Sequence, residues 1–188
     1  MSGDVGTQTT GEVASTDGDW LRRLVREIPN FPEPGVTFRD ITPLLGDPVA
    51  FKRCIDELAA RFADVEVDSV VGVESRGFIL AGAIAYRMGA AFVPVRKAGK
   101  LPWAVVREEY ELEYGREKLE IHRDAIHPDE RVLVIDDVLA TGGTSLATAR
   151  LIEALGGTVV GIGLLIEIAG VGGRAAFADR RLEVLATY

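Results

Sequence analysis

The chain carries one cysteine, Cys54, among its 188 residues. An intrachain disulfide is excluded, and the composition suits a reducing compartment. Histidine is almost as scarce: His122 and His127 stand five apart with no third ligand nearby, which argues against a metal site. No apolar run reaches the roughly 18 residues that a membrane-spanning helix needs. The first residues are acidic and rich in Ser, Thr and Gly, without the apolar segment of a secretory leader. A cytoplasmic protein with no membrane partner is expected. Cations are in deficit, 21 Lys and Arg against 29 Asp and Glu, and the net charge of −8 disfavours broad binding to nucleic acid. No Gly-x4-Gly-Lys-Ser/Thr occurs, and Gly161 and Gly163 form only Gly-x-Gly, so P-loop and Rossmann readings both fail.

What is present centres on one stretch, Val132 to Thr144. Val132, Leu133, Val134 and Ile135 read as a strand buried on both faces. Asp136 and Asp137 follow where that strand should surface. Thr141, Gly142, Gly143, Thr144 and Ser145 then open a helical pattern, Leu146 to Leu155. A helix N-terminus offers unpaired N–H groups and the positive end of a dipole, so it attracts anions. The glycines let the backbone approach closely, and the hydroxyls add donors for phosphate oxygens. Carboxylates do not bind phosphate, so the aspartates need sugar hydroxyls or a Mg2+ ion as partner. Together these features specify a site for a phosphorylated ligand.

The remaining segments repeat this logic. Residues 1–17 read as a disordered tail, and 18–188 as one domain. Trp20, Leu21, Leu24, Val25 and Ile28 space as one face of a short helix, Trp20 to Ile28. Two prolines and a glycine make Phe31 to Thr42 an irregular extended loop. Asp47 and Pro48 form a helix start, and Phe51, Cys54, Ile55, Leu58 and Phe62 make its apolar stripe, which assigns Cys54 to the core. Ser69 to Val73 is a buried strand running into Glu74, Ser75, Arg76 and Gly77 and a helix, Phe78 to Met88, a second anion-facing helix start. Ala91 to Val95 is a third strand, and the Arg96, Lys97 and Lys100 cluster at its end reads as a polyphosphate clamp. Val105 to Tyr114 with Leu119 to Ile121 reads as a β-ribbon outside the main sheet, a lid over the site. Thr158 to Ile168 is a long strand, Gly172 to Arg174 begins a short helix, and Leu182 to Leu185 a final strand. Alternating strands and helices predict an α/β fold: an open parallel sheet flanked by helices, with ligands beyond the strand C-termini.

Four of these segments resemble the type I phosphoribosyltransferases, in the family's order. Asp136 to Thr144 looks like their phosphoribosyl pyrophosphate (PRPP) signature, and its wording is similar to the adenine-specific branch. Pro34 to Ile41 resembles the purine-holding segment of that branch, Glu74 to Gly77 the pyrophosphate loop, and Leu112 to Gly115 the catalytic flap (about 99–122). The resemblance implies transfer of phosphoribosyl from PRPP to adenine, giving AMP and pyrophosphate, in a homodimer. The alternatives are another purine base or a non-catalytic purine-responsive regulator of the same fold. It further implies that Phe38 stacks on the base while Thr37 and Arg39 flank it. Ser75, Arg76, Arg96, Lys97 and Lys100 would face pyrophosphate. Asp136 and Asp137 would hold the ribose, and Ala140, Thr141, Gly142, Gly143 and Thr144 the 5′-phosphate. Glu113 and Tyr114 would act at the reacting centre. Mg2+ would arrive with the substrate, with Asp136 and Asp137 as the candidate side-chain ligands and no other side chain expected to bind it directly. Trp103 stands where the family pattern has glycine.

Overall fold

The computed structural model describes residues 18–112 and 115–188. The tail expectation (residues 1–17) and the Glu113 and Tyr114 roles fall outside them. Seven strands form one sheet: β3 (Ser69–Val73), β4 (Ala91–Lys97), β5 (Val105–Leu112), β6 (Gly115–His122), β7 (Arg131–Leu139), β8 (Thr158–Glu167) and β9 (Leu182–Thr187), in the order β5-β6-β4-β3-β7-β8-β9. From β4 to β9 all neighbours run parallel, joined by α4 (Arg76–Met88), α5 (Gly143–Ala154) and a 3-10 helix (Gly173–Phe177). The apolar runs explain the layering. Along β7, Leu133 and Ile135 join the core that includes Leu58 of α3 (Pro48–Ala60) and Leu80 and Ile84 of α4. Val132 and Val134, one residue out of phase, join the opposite core with Leu151 and Ile152 of α5. A strand covered on both faces needs no polar alternation.

Asp47 caps α3 as its sequence promises, accepting from the Val49 and Ala50 amides at 2.9 and 3.0 Å, with Pro48 in the first turn. Cys54 is buried in the core, and burial pushes its thiol up to about 12. Three expectations are corrected. The helix predicted over Trp20 to Ile28 stops early: α1 is Asp19–Arg22, and Arg26–Pro29 is a strand, β1. The loop predicted over Phe31 to Thr42 contains a second strand, β2 (Thr37–Asp40), which pairs antiparallel with β1, Ile28 opposite Phe38. Pro29 and the glycine turn favour that hairpin over a helix continuing past Arg22. The ribbon is not outside the sheet: β6 pairs with the end of β4, Arg96 opposite Glu120 and Lys97 opposite Leu119, so the sheet is mixed. Leu44 of α2 (Thr42–Gly46) is buried in the first of the two cores, tying the hairpin's end to the body.

Candidate active site

The acidic pair does not surface. β7 continues through both aspartates, held by pairing that runs to Leu139 opposite Glu167, and Asp136 and Asp137 are 7% and 8% exposed. Asp136 Oδ1 accepts the Asp137 amide at 2.9 Å. The first turn of α4 comes up against the pair. A Cβ on Gly77 would lie 2.7 Å from Asp136 Oδ1, so only glycine permits this approach. The residue before it, Arg76, sets its Nε 2.7 Å from Asp137 Oδ2. Burial, and then the charge of Asp137, push the Asp136 carboxyl well above the usual carboxylate range. The proton affinity of Asp136 is thus raised, while Asp137 takes the cation.

A polar cavity of about 490 Å³ opens over this pair. Glu74, Ser75, Arg76, Lys97, Lys100, Tyr110, Glu117 and Thr144 line it with the two aspartates. Its cations are already engaged. Lys100 and Arg96 both pair with the half-buried Glu74, and Lys97 Nζ lies 2.6 Å from Glu117 Oε1. Burial raises Glu74, but the Lys100 and Arg96 contacts outweigh it and hold the carboxyl below its ordinary value. Arg96 does not itself line the cavity; it fixes Glu74 and donates to the Lys100 carbonyl at 3.2 Å. The Glu74–Ser75 peptide is cis. At the far wall α5 begins without a side-chain cap, so its first amides are open to an anion. Gly142 precedes it at φ 83, and a Cβ there would meet Phe177 at 2.7 Å. Gly143 starts the helix itself.

A second cavity, of about 460 Å³, lies alongside. Gly35, Val36, Thr37, Phe38, Arg39, Ala140, Thr141, Ile168 and Val171 line it, and Arg76 and Val138 belong to both cavities. Phe38 meets Phe31 edge-on at 5.3 Å, and the Arg76 guanidinium lies 4.9 Å from the Phe38 ring centroid. Arg76 Nη1 also donates to the Arg39 carbonyl at 3.3 Å. That bond shows which way the β2 peptides point. In an extended strand a residue's N–H and C=O face the same side, and so do those two residues away. Thr37 and Arg39 thus turn their peptide edges toward this cavity. The Arg39 side chain turns away, against Tyr188 and Glu27. An apolar slot read by backbone donors and acceptors, joined through Arg76 to a cation- and carboxylate-lined chamber, suits a flat heterocycle beside a sugar polyphosphate.

Known proteins share this chain's sequence pattern and fold. The phosphoribosyl transferase domain family matches residues 46–177. The adenine phosphoribosyltransferase of Thermobifida fusca (strain YX) is 53% identical over 174 residues, covering 92% of this chain and 99% of the relative. The chain belongs to the adenine phosphoribosyltransferase family. Among solved structures, the adenine phosphoribosyltransferase from Rhodothermus marinus superposes with a TM-score of 0.86 at 49% identity, covering 90% of this chain and 97% of that one. The Saccharomyces cerevisiae enzyme, complexed with an iminoaltritol bisphosphate and adenine, gives 0.84 at 35% identity, covering 89% and 97%.

Against this family background, several lining residues carried no signal in the sequence. Tyr110 is buried, and its hydroxyl reaches Glu117 Oε2 at 3.0 Å and Thr144 Oγ1 at 3.2 Å, tying the ribbon to the start of α5. Alternation along the ribbon marks Tyr110 as inward-facing, but not its partner. Glu117 looks like any solvated glutamate until Lys97 is placed beside it. Val138 is hidden in the apolar run of β7, and Ile168 and Val171 follow β8 with no motif of their own. Trp103 is 71% exposed. Among the described residues no group of three His, Cys, Asp or Glu could hold a metal ion. The donor set at the cavity, two adjacent carboxylates, fits a Mg2+ ion that brings most of its ligands as phosphate and water.

Proposed function

We propose that this chain transfers the 5-phosphoribosyl group of PRPP to adenine, forming AMP and pyrophosphate. One observation supports this above the others: the polar and apolar cavities meet at Arg76 and Val138, so a base in one adjoins a sugar in the other. The bond from ribose C1 to pyrophosphate oxygen breaks, and its electron pair leaves on pyrophosphate. A bond from C1 to adenine N9 forms, and adenine gives up one ring proton. Positive charge builds on the sugar between these events. Asp136 and Asp137 hold the ribose hydroxyls and place negative charge beside that sugar. The open amides of α5 with Thr141 and Thr144 grip the 5′-phosphate. Ser75, Arg76, Lys97 and Lys100 receive the pyrophosphate, with Arg96 steadying Glu74 behind them. Phe38 stacks on adenine, and the Thr37 and Arg39 peptide edges read its donor and acceptor groups.

Asp136 and Asp137 are the carboxylates that would hold a Mg2+ ion arriving with the polyphosphate, and the ion would supply positive charge to the leaving group. Glu113 accepts the adenine proton at N7 and Tyr114 packs near the reacting centre; both roles rest on the resemblance of Leu112 to Gly115. No helix among the described residues is long and apolar enough to cross a membrane. Exposed Ile79 and Tyr86 on α4 and Phe92 on β4 give apolar surface that a second copy would cover. The test is AMP formation from adenine and PRPP by the protein and by Glu113→Gln. Turnover should fall by about 10²–10⁴ with little change in KM, as for loss of a general base; undiminished turnover removes Glu113 from the chemistry.

A further inference from the structure

Behind the base cavity sits Tyr188, a residue in no motif. It follows β9 at the sheet edge and touches both walls of the slot. Its backbone N–H donates to the Glu167 carbonyl at 2.8 Å, and its carbonyl accepts from Ala169 at 2.7 Å. Those partners flank Ile168, one wall of the cavity. Its ring lies under the Arg39 guanidinium at 4.7 Å, and Arg39 belongs to β2, the opposite wall. Arg22 seals the arrangement from α1: its guanidinium is 5.9 Å from the same ring, and Nη2 donates to the Thr187 carbonyl at 2.7 Å.

The Arg39 side chain depends on that ring. Nη1 lies 2.6 Å from Glu27 Oε1, yet neither Nε nor Nη1 makes a well-formed hydrogen bond among the described residues, and both are buried. A guanidinium so placed keeps its position through the aromatic face and one carboxylate. The Tyr188 hydroxyl is also buried without a hydrogen-bond partner among the described residues. The ring, not the hydroxyl, is therefore what this corner uses. We propose that Tyr188 is a positioning residue for the base: it sets the spacing between the β2 peptide edge and Ile168, and so the fit of adenine. This rests on the reading of that cavity as the base site.

The experiment is steady-state kinetics of the full chain with each substrate varied in turn, for Tyr188→Leu, Tyr188→Met and Tyr188→Phe. Loss of the aromatic face in the Leu and Met variants should raise KM for adenine roughly 2- to 30-fold. KM for PRPP should stay within about twofold, as for a distant independent site. Tyr188→Phe keeps the face and should behave as the unaltered protein. If Tyr188→Leu does not fold, Tyr188→Met keeps side-chain bulk without a ring and carries the test. An unchanged adenine KM, an equal rise in both KM values, or a Phe variant as impaired as Leu overturns the proposal. Failure of the unaltered protein to use adenine overturns the base-site reading itself, and the proposal with it.

Discussion

Arg76 Nε lies 2.7 Å from Asp137 Oδ2 while the same guanidinium covers the Phe38 ring at 4.9 Å. One side chain thus touches the carboxylate proposed to hold the ribose and the aromatic proposed to stack on the base, at the seam of the two cavities. Removing it leaves Asp137 with a buried oxygen that has lost its cation. Arg76→Ala should lower kcat/KM for both adenine and PRPP by roughly 30-fold or more, the scale for stripping one partner from a buried charge pair. Arg76→Lys should recover only part, because an ammonium cannot lie flat on Phe38 and face Asp137 together. A defect confined to PRPP would show that Arg76 serves the pyrophosphate alone.

Asp136 makes a pH prediction with a definite sign. Its folded carboxyl titrates well above the ordinary 3.8 because of burial and then the charge of Asp137. Between 3.8 and that raised value the folded protein holds a proton that the unfolded chain has lost, so stability falls as pH rises through the window. Asp136→Asn escapes this cost. Thermal melts of the ligand-free variant should match the unaltered protein at low pH and exceed it near neutrality. About 1 kcal/mol would appear as roughly 2–4 °C in a chain of this size. A variant that melts lower at neutral pH contradicts the assignment.

Tyr110 joins the ribbon through Thr144 to the start of α5, the proposed 5′-phosphate site. Tyr110→Phe keeps the ring in its core and deletes only the hydroxyl. The hydroxyl's bonds to Glu117 and Thr144 are both lost, and loss of the Thr144 bond at ordinary strength should raise KM for PRPP by roughly 2- to 12-fold with adenine KM unaffected. A double-mutant cycle with Thr144→Ala should be non-additive; simple additivity would mean that the two hydroxyls act independently.

Cys54 should be silent in the folded protein. Its thiol is fully buried and pushed up to about 12, so neither access nor thiolate is available at neutral pH. An alkylating reagent should label it only under denaturing conditions. Labelling at the rate of a free thiol in native buffer would place it outside the core.

Most of the scaffold was legible because its signals are local. The apolar runs of β3, β7 and β8 could only be strands covered on both faces, and Asp47 with Pro48 announced α3. The start of α5 was legible for the same reason: Thr141 to Ser145 carries its signal in consecutive residues. What escaped was set by partners distant in sequence. Leu24, Val25 and Ile28 have helical spacing, yet β1 forms because β2 lies ready to pair with it. The Asp136 and Asp137 pair looked like the end of a strand, but β8 extends past it and keeps both carboxylates buried. Lys97 and Lys100 read as part of a polyphosphate clamp, and only the fold shows Glu117 and Glu74 beside them. Tyr188 could not have been found from sequence, since its importance lies in two walls that the fold brings together.

The most direct test of the whole account is a base competition. The protein is given PRPP, Mg2+ and labelled adenine, with hypoxanthine or guanine in excess, and the nucleotides formed are separated. A slot read by the Thr37 and Arg39 peptide edges predicts AMP as the product, with pyrophosphate in equal amount and little IMP or GMP. Formation of IMP or GMP in preference to AMP, or release of pyrophosphate without any nucleotide, would contradict it.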